Sequence, residues 1–318
     1  MAPASQLDIP YPHRPPDIYG RDGKIYANGV ELALKGFNWF GSEGEWRVPF
    51  GLTERSADDL LAFAASNGFN ALRLMFSWED WAADEPVPVS HVDGFRNPEL
   101  VGVSYRSMLA FLVNRAARHG ILVMLTCHRI RRSYNTWGND IHAEWPGDWN
   151  GLWYDDAFPE ERVRQLWGEV AARFCAAFNV FGVDLMNEPY SAHWGDGSAA
   201  DWRAGSTSIG NAVLAACPRW LVVVQGTSNP GMWGENLRGV AESGSVRLSN
   251  QSKLAYSAHT YGPSLFVRSG GGPSEHWASD FPQNMPQVCT SHAHAPRPQP
   301  SHEDCVHVHV HVKCEMCM

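Results

Sequence analysis

The 318-residue chain is poor in charge and has no long apolar run: Asp, Glu, Lys and Arg make up 19% of it, against 44% hydrophobic residues. A membrane helix needs about 20 consecutive apolar residues, and nothing in the sequence approaches that, so no membrane is expected as partner. Positive charge is the scarcer sign, with 25 Lys and Arg against 34 Asp and Glu, a net charge of −9 and a pI near 5.8. That balance repels phosphate backbones, which argues against nucleic acid and favours a neutral or cationic partner. The first sixteen residues are Pro-rich and polar, and no charged-then-apolar secretory leader is visible in them. Residues 1–17 are expected to be a disordered segment, in a protein that either stays inside the cell or has its true start further upstream. Three of the seven cysteines, Cys127, Cys175 and Cys217, fall in one strand-like and two helix-like stretches and imply no disulfide framework.

What is present is an alternation of two periodicities. Asp22-Gly23 and Asn28-Gly29 punctuate a short hairpin, after which residues 32–38 read as a first buried strand. Further apolar runs follow at 71–76, 121–127, 181–186, 220–225 and 254–259. Amphipathic stretches of helical period lie between them at 57–66, 105–117, 160–178 and 200–216. Strands separated by helices argue a parallel sheet with right-handed crossovers, of which the closed (β/α)8 barrel is the commonest large form. An open doubly wound sheet is the alternative, but no Gly-rich phosphate loop follows the first strand.

The most informative stretch is Val183-Asp184-Leu185-Met186-Asn187-Glu188-Pro189. A buried strand that ends in an amide, a carboxylate and a proline should project Asn187 and Glu188 from its C-terminal end, where barrels carry out chemistry. A capping or salt-bridged Glu is the plainer reading. Of fourteen tryptophans, eleven (Trp39, Trp46, Trp78, Trp81, Trp137, Trp145, Trp149, Trp153, Trp194, Trp233 and Trp277) fall in segments that follow a strand. Large amphipathic rings on one rim suit a ligand with flat apolar faces and polar edges, such as a pyranose, although several could simply pack long loops onto the barrel.

Gly36-Phe37-Asn38-Trp39-Phe40-Gly41, Ala71-Leu72-Arg73-Leu74, Cys127-His128-Arg129, Asp184-Leu185-Met186-Asn187-Glu188-Pro189, Tyr256-Ser257-Ala258-His259-Thr260-Tyr261 and Phe281-Pro282-Gln283-Asn284-Met285-Pro286 come in an order and spacing that resembles glycoside hydrolase family 5. Within it, the chain is most similar to bacterial-type endo-β-1,4-glucanases, over residues 18–288. The resemblance implies a retaining glycosidase acting on a β-linked polysaccharide or oligosaccharide as a secreted monomer, with no cofactor and no metal. It implies that Glu188 is the general acid and base, that Asn187 binds the sugar 2-hydroxyl, and that Arg73 holds the nucleophilic carboxylate. His128 and His259 would line the sugar subsite, Tyr261 would hydrogen-bond the nucleophile, and Trp39 and Trp233 would be stacking platforms.

One part of that pattern is missing. A retaining glycosidase needs two carboxylates about 5 to 5.5 Å apart, and the family's nucleophile is a Glu in a Gly-Glu-Phe-Gly-like setting ending the seventh strand. No such run follows Tyr261. Residues 289–318 instead hold four of the seven Cys and six of the fourteen His, with no Gly, Leu, Ile, Phe, Trp or Tyr. The expectation is a C-terminally incomplete barrel of about six βα units, followed by an aberrant tail produced by a shifted frame, a retained intron or an alternative exon. A zinc-binding tail is a weaker reading, since one Cys314-x-x-Cys317 with irregular His spacing is little evidence of a metal site. Also open are a catalytically dead carbohydrate-binding protein of the same fold and a β-mannanase.

Overall fold

In the computed structural model the described residues are 15–132, 150–228, 234 and 236–259. Tyr261, Trp233, Trp137, Trp145, Trp149, Trp277 and the 289–318 tail lie outside them. The chain opens with three short antiparallel strands, β1 (Ile18–Arg21), β2 (Lys24–Ala27) and β3 (Val30–Glu31). Asp22-Gly23 and Asn28-Gly29 turn between them, all four at positive φ, which Asn, Asp and Gly tolerate best.

Six parallel strands follow in sequential order: β4 (Gly36–Trp39), β5 (Ala71–Ser77), β6 (Leu122–Arg129), β7 (Val180–Asp184), β8 (Leu221–Gln225) and β9 (Leu254–Ser257). Between them run α1 (Ala57–Ser66), α2 (Trp78–Ala83), α3 (Tyr105–Arg118), α4 (Glu160–Phe174), α5 (Trp202–Ala216) and α6 (Arg238–Ser243). Among the described residues this is six strands' worth of a (β/α)8 barrel. Four helices start where a side chain accepts an orphan N–H: Ser56 from Asp59, Ser77 from Asp80, Ser104 from Ser107 and Asp201 from Ala204.

Period-2 alternation sorts the strand side chains into two layers. Leu72, Leu74 and Phe76 of β5, Val123, Leu125 and Cys127 of β6, and Val222 and Val224 of β8 face the helices and join the large outer core with Trp78, Trp81 and Trp167. Ala71, Met124, Phe181, Leu221, Val223 and Ala255 face inward and form a second cluster with Ile18 and Ile25 of the N-terminal hairpin. The hairpin thus plugs the barrel's N-terminal end. Lys253 pins it there, its Nζ donating to the Ile18 carbonyl and, at 2.8 Å, to Asp17 Oδ1.

Several boundaries differ from the sequence reading, each for a local reason. The stretch 32–38 becomes a strand only from Gly36, because the Asn70 side chain takes over the preceding backbone: its Oδ1 accepts the Lys35 N–H at 2.7 Å and its Nδ2 donates to the Ala33 carbonyl at 2.8 Å. Helix α4 stops at Phe174 and not at 178. Arg219 gathers the chain beyond its end, with Nη2 2.7 Å from the oxygen of Cys175, which caps the helix, and Nη1 2.9 Å from that of Val180, which opens β7. Helix α5 begins at Trp202, two residues later than expected, where Asp201 caps it. Strand β7 ends at Asp184, although the Leu185 N–H still reaches the Val223 carbonyl at 3.2 Å.

The cysteine expectation is overturned: Cys175 and Cys217 form a disulfide across a separation of 42 residues, with Cα atoms 5.5 Å apart. Both follow the last residue of a helix, α4 and α5, and sequence distance concealed the proximity that the next strands impose. The tryptophan reading is corrected too. Trp39 lies in β4 and Trp78 and Trp81 in α2, not in segments that follow a strand, and the fully buried rings of Trp78, Trp81 and Trp153 pack the barrel wall and do not line an open rim.

Candidate active site

Arg73, at the third position of β5, points into the barrel and is buried. Its Nε and Nη2 donate to Asp184 Oδ2 at 3.0 and 2.7 Å, Nη2 also to Asn187 Oδ1 at 2.9 Å, and Nη1 to Asn38 Oδ1 at 3.3 Å. The resemblance implies that Arg73 holds a nucleophilic carboxylate. Among the described residues, the carboxylate it holds is Asp184, whose role the sequence pattern did not single out. A buried guanidinium needs a compensating charge, and β7 supplies it two strands away.

Asn187 and Glu188 lie three and four residues beyond the end of β7, further out than a strand terminus. The Asn187 N–H donates to the Cys127 carbonyl at 2.9 Å, which ties this exit segment to β6. The Glu188 N–H donates to Gln225 Oε1 at 2.7 Å, which ties it to the end of β8. Glu188 has a φ of 44°, in the left-handed region that a residue with a side chain seldom adopts. Its Oε1 lies 2.6 Å from His259 Nδ1, just past β9, and both groups are buried. Arg73, Asn187, Glu188 and His259 are thus brought together.

His128, near the end of β6, is held well below the usual imidazole range, first by burial and then by the positive charges of Arg73 and Arg129, with His259 adding to them. It is therefore neutral near pH 7. Its Nδ1 is buried with no hydrogen-bond partner among the described residues, and the edge of its ring meets Phe40, with centroids 5.8 Å apart. Trp39 is only 8% exposed and donates its indole N–H to the Phe50 carbonyl at 2.9 Å, which fixes the ring's orientation. Cys127 faces the outer core, and burial pushes its thiol well up, which keeps it protonated.

Two further acids escaped the sequence reading because neither sits in a recognisable motif. Glu43 is buried in the loop after β4, where its Oε2 accepts the Gly41 N–H at 2.8 Å. Burial pushes its carboxyl up, against the pull of backbone donors and of Arg129 and Arg73. Gly41 allows this turn because a Cβ there would come within 2.4 Å of the Val48 carbonyl oxygen. Asp80 of α2 is fully buried and accepts Arg47 Nε at 2.9 Å, Arg132 Nε at 2.6 Å and Ser77 Oγ at 2.7 Å. It clamps the loops that follow β4 and β6 to the start of α2. No group of three or more His, Cys, Asp or Glu among the described residues is arranged to hold a metal ion.

The chain matches the family model described as Cellulase (glycosyl hydrolase family 5) over residues 27–295. It is 34% identical to an endoglucanase of Paenibacillus polymyxa over 275 residues, covering 83% of this chain and 63% of the relative. An endocellulase from Pyrococcus horikoshii, crystallised as a cellotetraose complex, superposes with a TM-score of 0.71 at 32% identity, over 88% of this chain and 78% of that one. The catalytic domain of the major endoglucanase from Xanthomonas campestris pv. campestris gives 0.70 at 30% identity, over 87% and 76%. The chain spans less than two thirds of the length of the curated relatives it matches.

Proposed function

Because the chain belongs to glycosyl hydrolase family 5, we propose that its site is that of a retaining hydrolase of β-1,4-glucan, with Glu188 as general acid and base, and that these 318 residues bind the sugar without turning it over. The observation that carries this is the contact between Glu188 and His259. A group that gives a proton to the leaving oxygen and then takes one from water must stay hydrogen-bonded in both states. An imidazole nitrogen can accept from a protonated carboxyl or donate to a charged one. Asn187, oriented by Arg73, would meet the sugar 2-hydroxyl, where a hydrogen bond strengthens as positive charge develops on the ring.

Neutral His128 would offer a hydrogen bond to a hydroxyl without bringing a charge, and Trp39 would offer part of its ring face. Tyr261 and Trp233 complete the proposed set as nucleophile partner and second platform. The lack of turnover follows from the sequence, in which no Gly-Glu-Phe-Gly-like run follows Tyr261 to supply the nucleophile. Relatives described as endoglucanases and an endocellulase crystallised with cellotetraose support a glucan as the ligand. Calorimetric titration with cellotetraose and mannotetraose tests the ligand. Saturable binding of the glucan, weakened about tenfold or more by Trp39→Ala as expected for loss of a stacked ring, supports the reading. Absence of glucan binding, or a preference for the mannan, contradicts it.

A further inference from the structure

Gln225 ends β8 with its side chain fully buried, and both ends of its amide are engaged. Nε2 donates to Asp184 Oδ2 at 2.6 Å, and Oε1 accepts the Glu188 N–H at 2.7 Å. The amide cannot be turned over. A carboxylate offers only acceptors and a backbone N–H only a donor, so one orientation satisfies both. Asp184 is fixed in turn by two bonds from Arg73. The Gln225 backbone is fixed from outside the barrel, where the Trp202 indole of α5 donates to its carbonyl at 2.9 Å.

We propose that Gln225, oriented by Asp184, is a positioning residue that holds the backbone of Glu188 in its left-handed conformation and so keeps the carboxyl against His259. Three residues of this exit segment are tied by their N–H groups. Leu185 reaches Val223 and Asn187 reaches Cys127, both by backbone carbonyls, whereas Glu188 reaches a side chain. The tie falls at the position whose φ of 44° a side-chain-bearing residue would otherwise leave. The relay also couples the arginine to the acid, since Arg73, Asp184, Gln225 and Glu188 form one unbroken chain of hydrogen bonds. The functional weight of this assignment rests on the reading of Glu188 as acid and base.

The test is amide hydrogen exchange and imidazole 15N spectra of the labelled 318-residue chain, which need no substrate and are therefore independent of sugar binding. In Gln225→Met, a variant of similar length and no polar ends, the Glu188 amide should exchange about tenfold faster or more, while Leu185 and Asn187 stay within about twofold of wild type. The His259 ring signals should move as its contact with Glu188 loosens. Gln225→Glu keeps an acceptor for the Glu188 N–H and, when protonated against Asp184, a donor as well. It should therefore restore Glu188 protection at about pH 5 and lose it at about pH 8, where two carboxylates would repel. Unchanged Glu188 exchange and His259 signals in Gln225→Met overturn the proposal. So does equal loss of protection at Leu185 and Asn187, which would mark a general structural role. If Gln225→Met does not fold, Gln225→Glu decides alone: protection that does not vary with pH overturns it.

Discussion

The Nδ1 atom of His259 lies 2.6 Å from Oε1 of Glu188, although 71 residues separate the two in sequence. The approach depends on barrel order: β7 and β9 are not neighbours, and β8 stands between them. Glu188 must lean across the end of β8, and Gln225 at that end is the residue its backbone N–H meets. Sheet topology, backbone conformation and acid position are thus one arrangement.

Arg73 and Asp184 form a buried pair, each with a side chain less than 5% exposed. Removing one partner leaves the other charge uncompensated in the barrel, which costs about 3–5 kcal/mol. Arg73→Met should lower the unfolding free energy by that amount in urea denaturation. A loss under about 1 kcal/mol would show that the pair does not hold β5 to β7.

Cross-linking Cys175 to Cys217 closes a loop of 42 residues, for which chain entropy predicts roughly 4 kcal/mol of stabilisation. Cys175→Ala with Cys217→Ala, or wild type under reductant, should unfold at lower urea by the equivalent of about 2–4 kcal/mol. Free-thiol titration of the unreduced, unfolded chain should show neither cysteine reactive.

Burial raises the Glu43 carboxyl in the folded state, so the native protein holds this proton more tightly than the unfolded chain does. The group's contribution to stability is then fully present below the ordinary carboxylate pKa of about 4.3 and is lost as pH rises through the raised native value. Glu43→Gln keeps an acceptor for the Gly41 N–H and removes the titration. The stability of the variant relative to wild type should increase from about pH 4 to about pH 7, measured by urea unfolding across that range. A constant difference would contradict the assignment.

The strands were legible because β5, β6 and β8 carry unbroken apolar runs bounded by polar residues and turns, and α1 was legible to the residue because Ser56 caps it and Asn67-Gly68 ends it. The Asn187-Glu188-Pro189 signature pointed to the segment that lies against Arg73, Gln225 and His259. What sequence could not show was pairing between distant segments. Asp184 reads as one more strand residue until Arg73 is seen opposite it, Gln225 as a strand end, and Cys175 and Cys217 as two isolated thiols 42 residues apart. A tryptophan placed soon after a strand need not face an open rim. Trp78 and Trp81 instead start a short helix whose apolar face turns into the wall.

The central claim is an acid–base residue in place without a nucleophile, and reducing-end release from carboxymethyl cellulose tests it most directly. Three purified proteins are compared: the 318-residue chain, the same chain with a seventh and eighth βα unit of the family type in place of residues 289–318, and that chimera carrying Glu188→Gln. Losing covalent catalysis removes several orders of magnitude in rate. The account therefore predicts no measurable release by the first, clear release by the second, and a loss of about a thousandfold or more in the third. Robust hydrolysis by the 318-residue chain that survives Glu188→Gln would contradict both the role given to Glu188 and the missing nucleophile.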